Sequence, residues 1–468
     1  MTSRPWLRRA QELSEEYLDS LPERPVGPRA GLPELQRRLG GPLPEAGCDA
    51  TEVIEALASG AEAGLTATAG PRFFGFVIGG TLPAALAADW LASAWDQNAA
   101  LHIASPAAAT VEDVAASWVL DLLGLPSTAS VGLVTGCQMA NFTCLASARH
   151  AVLERAGWDV EQDGLHGGPA VNVVIGEEAH ATILSALRML GLGAGRARRV
   201  AVDGQGRMQV AGLRETLASL SGPTIVCAQA GNVNTGAFDP IDSIADVVRE
   251  KGAWLHVDGA FGLWAAASPT RRHLVQGHTK ADSWATDAHK WLNVPYDSGL
   301  AIVAHPQAHG AAMAKRAAYL LRSDGLRDNH DYTPESSRRA RGFALWAALR
   351  TLGRSGVADL VERCCRVASR IAERLSCEPG VRLLNDVTLN QVLVRFEPEG
   401  VKDADAFTKA VMARVQRDGV CWVSGSRWHG MDVMRISVSN WSTSEADADR
   451  STDAILEAAR REATDARS

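Results

Sequence analysis

The sequence predicts an α/β protein with a large, mixed, mostly parallel sheet and a smaller C-terminal α+β domain. Between residues 129 and 306, short runs of valine, isoleucine, leucine and alanine alternate with helical segments. This pattern is typical of parallel strands that helices cover on both faces. After residue 343, helices lead into two further apolar runs, at 389–396 and 433–441, which indicate a second, smaller unit.

The N-terminal segments come first in the chain. Residues 1–70 read as helices that proline- and glycine-rich joints interrupt, so we predict a helical arm that packs on another surface, such as a second subunit. From 71 to about 125, the aromatic stretch GPRFFGFVIGG precedes alanine-rich helices. We place the large domain at 71–342 and the small domain at 343–468.

Seven apolar runs are the predicted strands of the large sheet: SVGLVTG, AVNVVIG, RRVAVD, PTIVCAQAG, AWLHVDGA, DSWATD and SGLAIVAH. Ligands of such sheets bind at the carboxyl ends of the strands. We therefore expect the residues that follow those ends to lie together, and they are Gly136, His180, Asn232, Asp258, His289 and Lys290. Residues 307–342 are polar, and the stretch LRSDGLRDNHDYTPESS at 321–337 is a candidate mobile loop.

Composition argues against several classes of protein. The chain has 468 residues and is 46% hydrophobic and 22% charged, as in an ordinary globular enzyme. Its net charge of −7, without a long basic run, argues against a nucleic-acid partner. The absence of a long apolar run and of a signal-like N-terminus predicts a cytoplasmic protein with no membrane partner. Eight scattered cysteines without a C-x-x-C pair predict reduced thiols and no metal site.

Lys290, in ATDAHKWLNV, is one of only six lysines in the chain. It lies between a strand-like run and an apolar turn, whereas the other five lie in polar surroundings. A lysine and Asp258 at two strand ends suit an aldehyde cofactor that has a basic ring nitrogen. Taken singly, Lys290 could be a surface lysine, HVD at 256–258 a metal pair, and GLGAG at 191–195 a dinucleotide loop. The joint pattern with His180 favours the cofactor.

The motifs GAFDPI, HVDGAFG and DAHKWLNVPYD, with RFFGF at 72–76 and RISVSN at 435–440, resemble the group II pyridoxal-phosphate-dependent amino acid decarboxylases. This resemblance covers nearly the whole chain. It implies the fold of the PLP-dependent transferases (aspartate aminotransferase, fold type I), with pyridoxal 5'-phosphate as cofactor and an amino acid as substrate. It also implies a homodimer with interlaced N-terminal arms and active sites at the interface.

The resemblance implies roles for individual residues. Lys290 resembles the lysine that bonds the cofactor aldehyde, and we expect partial desolvation to lower the pKa of its amine. Asp258 resembles the carboxylate that pairs with the ring nitrogen, while His180 and Ala260 would pack on the two ring faces. The residues expected near the phosphate or the ring hydroxyl are Gly136, Cys137, Gln138, Asn232, Asp287 and His289. Many relatives have asparagine at 287 and threonine at 232.

The implied reaction releases the α-carboxylate as CO2, after which a proton must reach Cα. The candidate proton donors are Tyr332 and His330, in a loop that is shorter than the family's. An apolar or aromatic substrate is expected from the candidate pocket residues, which are Phe74, Phe76, Leu101 and Ile103; the phenylalanines could equally belong to the core. Oxidative deamination or aldehyde formation, transamination, aldol chemistry and a non-catalytic cofactor-binding homologue stay open as alternatives. Arg435 is given no substrate role.

Overall fold

The computed structural model describes residues 4–315 and 326–465. The chain begins with helices α1 (Pro5–Ser20), α2 (Leu32–Leu39), α3 (Ala50–Ala61), α4 (Pro83–Trp95) and α5 (Pro106–Leu123). Neither α1 nor α2 buries a residue, so the beginning of the chain has little core of its own. The predicted arm over 1–70 stays a prediction that this exposure supports.

The large sheet and its helices follow in the order β1 (Ser130–Val134), α6 (Cys137–Glu154), α7 (Val160–Asp163), β2 (Asn172–Gly176), α8 (Ala181–Met189), β3 (Arg198–Val200), α9 (Val210–Ala218), β4 (Thr224–Gln229), α10 (Ile241–Lys251), β5 (Trp254–Asp258), β6 (Ser283–Asp287), β7 (Gly299–Val303) and α11 (Pro306–Met313). The seven strands lie in the order β1-β7-β6-β5-β4-β2-β3. Only β7 runs antiparallel to its neighbours, while the other pairs are parallel. The predicted mixed, mostly parallel sheet is confirmed.

Both faces of the large sheet are covered, which explains the continuous apolar runs. One core cluster joins the strands to α6, α8 and α11. A larger cluster joins them to α5, α9 and α10 on the other face. Strands β1, β5, β6 and β7 are buried along their whole length. A polar side chain can therefore reach solvent or a ligand only where a strand ends.

The small domain consists of α12 (Gly342–Ser376), β8 (Val381–Leu383), β9 (Gln391–Phe396), α13 (Ala404–Asp418), β10 (Ser424–Trp428), β11 (Met431–Ser437) and α14 (Glu445–Asp465). Its four strands form an antiparallel sheet in the order β10-β11-β9-β8. The two predicted apolar runs are β9 and β11. Strands β8 and β10 were not predicted because they are short and each carries an exposed arginine, Arg382 in β8 and Arg427 in β10. The boundary between 342 and 343 stays a prediction; α12 begins there.

Residues 321–325 of the predicted mobile loop lie outside the described residues, which leave out 316–325. After these, residues 329–332 form one helical turn that packs against β1. Within 4–315 and 326–465, none of the helices combines the length and apolar character that a bilayer span requires.

Strand direction gathers the predicted site at one edge of the large sheet. Strands β2, β4, β5 and β6 are parallel. Strand β1 points the same way as β6, because both are antiparallel to β7. Strand β3 is parallel to β2, so the carboxyl ends of six strands meet at one edge, where a ligand is expected.

Candidate active site

A cavity of about 130 Å³ lies at this edge. Its lining residues are Phe76, Val77, His180, Gln229, Gly231, Val233, Asp258, Ala260, Phe261 and Lys290. Lys290, Asp258, His180 and Ala260, which the sequence places after three different strands, thus face one small space. The structure brings together the amine and the carboxylate on which the cofactor prediction depends.

Lys290 forms an ion pair in this cavity. Its Nζ lies 2.9 Å from Asp287 Oδ2. Its backbone is closely packed, since a Cβ at Gly79 would lie 1.9 Å from the Lys290 carbonyl oxygen. Burial lowers the pKa of the amine, but the neighbouring negative groups, Asp287 foremost, outweigh burial and raise the pKa above its usual value. The expectation of a lowered pKa is wrong for the cofactor-free protein, because Asp287 supplies a counter-charge.

Asp258, at the end of β5, is 5% exposed, and its carboxylate accepts three hydrogen bonds. Its Oδ1 accepts from the Ala260 backbone N–H at 3.2 Å and from the Cys137 thiol at 3.4 Å. Its Oδ2 accepts from Asn141 Nδ2 at 3.2 Å. Burial raises the pKa of the Cys137 thiol well above its usual value, so this group is a neutral donor. These contacts fix the carboxylate, whose remaining lone pairs can accept a further donor.

His180 directly precedes α8, and the Thr182 backbone N–H donates to its Nδ1 at 3.3 Å. Burial lowers the pKa of the imidazole, so the ring is neutral at pH 7. Because Nδ1 accepts, the ring proton resides on Nε2. The cavity therefore presents an uncharged imidazole, and Ala260 is a small residue in the same lining.

The start of α6 and the turn before Lys290 form a second set of donors. The Cys137 backbone N–H donates to Asp287 Oδ1 at 2.6 Å. His289 Nδ1 accepts from the Ser298 N–H at 3.1 Å, which leaves a proton on Nε2, 3.5 Å from Asp287 Oδ1. Burial lowers the pKa of His289. A Cβ at Gly136 would lie 2.9 Å from the His289 ring, so a residue larger than glycine would fill the space beside this imidazole.

This donor set fits pyridoxal phosphate. A helix N-terminus and an imidazole N–H suit a phosphate, an amine suits an aldehyde, and a fixed carboxylate suits a protonated ring nitrogen. Asp287 adds a negative charge beside the N–H groups that would donate to the phosphate. Gln138 is a weaker candidate, because its side-chain amide lies 4.0 Å from Met189 Sδ, in an exposed contact.

Four predicted residues lie elsewhere. Asn232 closes a turn, since its Oδ1 accepts from the N–H groups of Asn234 and Thr235 at 2.8 and 3.2 Å, and its neighbour Val233 lines the cavity instead. The remaining three are pocket candidates that do not line this cavity: Phe74 is 1% exposed within the main core, Leu101 is half-buried, and Ile103 is 56% exposed. Of the predicted pocket residues, Phe76 lines it.

The two candidate proton donors are also outside the cavity of their own chain. The Tyr332 carbonyl packs against Gly132 of β1, where a Cβ would lie 2.1 Å away. The Tyr332 ring lies 5.1 Å from the His309 ring and under the Arg327 guanidinium. His330 is 1% exposed, and its N–H donates to the Ala100 carbonyl at 3.1 Å. Neither side chain lines this cavity in its own chain, because their turn packs on β1, and their role as proton donors stays a prediction.

Sequence reasoning missed Arg435, on β11. It is 7% exposed, and burial lowers the pKa of its guanidinium to about 10. Its Nη1 donates to the Val233 carbonyl at 3.3 Å, and its Nε has no hydrogen-bond partner. Within the described parts of the chain no carboxylate pairs with it. Its charge is close enough to His180 to lower the pKa of that imidazole. An arginine inside the apolar run VMRISV was the available signal.

Comparison with known proteins gives a consistent result. Residues 33–397 match the family described as the pyridoxal-dependent decarboxylase conserved domain. The aromatic-L-amino-acid decarboxylase of Bacillus atrophaeus is 26% identical over 442 residues, which cover 92% of this chain and 90% of that protein. The 4-hydroxyphenylacetaldehyde synthase of Rhodiola rosea is 25% identical over 452 residues, covering 93% and 90%. Other relatives are named as decarboxylases of acidic amino acids.

Among solved structures, the crystal structure of Oryza sativa TDC with PLP and tryptamine superposes with a TM-score of 0.91. It is 25% identical, and the match covers 98% of this chain and 97% of that chain. This similarity confirms the predicted fold class.

Proposed function

Because the chain belongs to the pyridoxal-dependent decarboxylase family, we propose that it removes the α-carboxylate of an L-amino acid with an apolar or aromatic side chain. Its cofactor is pyridoxal phosphate, whose ring, when bound, accepts the electron pair of the bond that breaks. The observation that carries the proposal is the shared cavity of Lys290, Asp258, His180 and Ala260. Lys290 would hold the aldehyde, Asp258 the ring nitrogen, and His289 with the start of α6 the phosphate.

The walls of the cavity support the substrate class. Phe76, Val77, Val233 and Phe261 are apolar and line the space in front of Lys290. Among the described residues of this lining, Lys290 and Asp258 carry the charges, and both serve the cofactor. A charged substrate side chain would therefore lack a counter-ion and would be costly to bury.

Arg435 supports recognition of the substrate carboxylate. A buried guanidinium without a paired carboxylate is unfavourable unless a ligand supplies the negative charge. Arg435 lies behind Val233 and near His180, and its orphaned Nε leaves donor capacity for a carboxylate. We propose that this ion pair orients the substrate. Orientation decides the reaction, because only a bond perpendicular to the cofactor ring is weakened.

Replacing Arg435 with methionine is expected to lower kcat/KM by about 10- to 100-fold, since a charged hydrogen bond contributes about 1.5–3 kcal/mol. Arg435→Lys should recover part of the loss. Cofactor loading should stay unchanged, because the hydrogen bond of Arg435 goes to the Val233 carbonyl and not to Lys290 or Asp258. The matched control is Arg427→Met, on the exposed side of the adjacent strand β10. An unaltered KM and kcat in the folded Arg435→Met protein would contradict the role.

The reaction itself is tested with the purified, cofactor-loaded protein and a panel of the twenty amino acids. We expect CO2 and the corresponding amine in equal amounts, with the highest kcat/KM for aromatic or large apolar side chains. Mass spectrometry should also follow aldehyde and hydrogen peroxide. Aldehyde with peroxide would favour the oxidative alternative, which the relative named as an aldehyde synthase represents. A cofactor spectrum that no amino acid perturbs would indicate a non-catalytic homologue, and a preference for charged substrates would refute the proposed class.

We also propose a homodimer, as the resemblance implies. A groove of about 790 Å³ runs between α1, α3 and α4. The large apolar side chains exposed on these helices are Trp6, Leu7, Val53, Leu57, Trp90, Leu91 and Trp95. So many exposed apolar groups mark an interaction surface, and a second copy is the occupant we propose. A cytoplasmic location also stays a proposal, supported by unpaired cysteines, most of them buried.

A further inference from the structure

One buried amide connects the two cofactor-facing groups of the site. Asn141, on α6, is 0% exposed. Its Nδ2 donates to Asp258 Oδ2 and to Thr182 Oγ1, both at 3.2 Å. Its Oδ1 accepts from His256 Nε2 at 2.9 Å. All hydrogen-bonding groups of the Asn141 side chain are thus directed at protein partners.

The direction of each hydrogen bond follows from the chemistry of the partners. An ionised Asp258 can only accept, so the NH2 group of Asn141 must face it and the amide oxygen must face His256. His256 therefore carries its proton on Nε2. Burial lowers the pKa of this ring to about 4, so it is neutral, and its Nδ1 accepts from the Ser283 hydroxyl at 3.0 Å. Ser283 in turn accepts from Trp254 Nε1 at 2.9 Å.

The other hydrogen of the Asn141 amide extends the network to His180. Thr182 Oγ1 accepts from Asn141, so its hydroxyl hydrogen is directed at His180 Nδ1, 2.8 Å away. This agrees with the proton on His180 Nε2 that the backbone contact requires. One amide therefore sets the orientation of a carboxylate and the tautomer of an imidazole in the same cavity.

We propose that Asn141 is a positioning residue for Asp258, and that the hydrogen bonds of His256 and Ser283 hold the Asn141 amide in place. This inference rests on the proposed function, because it assumes that Asp258 meets the ring nitrogen of the cofactor. Asn141, His256 and Ser283 are 0% exposed, and the links of this branched network have consistent donors and acceptors. A buried network of this kind restricts side-chain orientation, so Asp258 keeps a fixed geometry before the cofactor arrives.

A purely structural role for Asn141 predicts a different result from a positioning role. The test compares pyridoxal phosphate with its 1-deaza analogue, in which carbon replaces the ring nitrogen while aldehyde and phosphate are unchanged. Both affinities are measured by quenching of tryptophan fluorescence at equilibrium. The wild-type protein should prefer the nitrogen compound, since only this compound can donate to Asp258. Asn141→Leu should reduce that preference by about 10-fold or more, with analogue binding nearly unchanged.

Two further variants keep the test decisive. Ser283→Ala removes a single hydroxyl at the far end of the network and should reduce the preference by a smaller factor. It decides the question if Asn141→Leu does not fold. Asn390→Leu, at a buried asparagine that bonds the Val438 carbonyl, is the matched control and should leave the preference intact. A folded Asn141→Leu or Ser283→Ala protein with the wild-type preference would overturn the inference.

The proposed function can fail separately. If borohydride fixes pyridoxal phosphate to no residue, or to one other than Lys290, in the wild-type protein, the cofactor assignment fails. If borohydride fixes it to Lys290 and the preference is the same in wild type and variants, the positioning role of Asn141 alone is refuted.

Discussion

The Lys290→Ala protein is expected to lose amino acid turnover by roughly 10³-fold or more, because the covalent attachment point of the cofactor is gone. Fluorescence quenching should still detect pyridoxal phosphate bound through its phosphate and ring contacts. Borohydride followed by peptide mass mapping should tag Lys290 in the wild-type protein and no residue in the variant. CO2 release measures the loss of turnover.

Two companion variants sharpen this test. Lys280→Ala is the matched lysine control, since Lys280 lies in ion pairs with Asp242 and Asp246 on the surface; it should retain full activity and the tag at Lys290. Asp287→Asn keeps the amine but replaces the carboxylate that lies 2.9 Å from Nζ with an uncharged amide. The pKa of Lys290, which is raised mainly by Asp287, should then fall, and the pH midpoint of cofactor loading should shift downward. A borohydride tag on another lysine of Lys290→Ala, with activity retained, would contradict the assignment.

The fold and the centre of the site could be predicted because their signals are local. Strand runs buried on both faces have to be apolar, and direction in a parallel sheet brings their carboxyl ends together. Lys290, Asp258 and His180 each follow such a run, so their convergence followed from topology alone. Lys290 and Asp258 now line one cavity, as the resemblance required.

The structure departs from the sequence-based expectations where the orientation of a side chain, not its position in the chain, decides its contacts. Asn232 and Val233 are adjacent, but the asparagine satisfies N–H groups of its own turn and the valine faces the cavity. The raised pKa of Lys290 depends on a turn that places Asp287 beside it. Arg435 lies on β11 of the small sheet, and its guanidinium donates to the carbonyl of Val233, which lines the cavity. Such contacts between distant segments leave no periodic pattern in a single sequence.

The packing of Tyr332 and His330 could not be predicted for a similar reason. A polar stretch with a tyrosine and a histidine predicts a loop, but not the surface on which it packs. The contact of the Tyr332 backbone with Gly132 requires a glycine on β1, and that requirement is visible only once both segments are placed. The strands could therefore be predicted, whereas the surface on which Tyr332 and His330 pack could not.

Replacing Asp258 with alanine is expected to lower kcat by about 10²- to 10³-fold while cofactor remains attached at Lys290. The carboxylate stabilises positive charge on the ring nitrogen, and without it the ring accepts electrons less readily. Its loss also leaves the Asn141 amide and the Cys137 thiol without their acceptor, which should cost about 1–3 kcal/mol in the free energy of unfolding. Steady-state kinetics, borohydride tagging and thermal unfolding measure these effects separately.

Asp258→Asn distinguishes charge from hydrogen bonding. Asparagine keeps the size and one acceptor oxygen but carries no charge, so kcat should fall nearly as far as in Asp258→Ala if charge on the ring nitrogen is what matters. The matched control is Asp239→Asn, at a second buried carboxylate, which accepts the N–H groups of Met208 and Gln229 at 2.7 Å. This control should lose stability but retain its rate per folded, cofactor-loaded molecule. Full activity in Asp258→Ala would mean that the ring nitrogen has another partner or needs none.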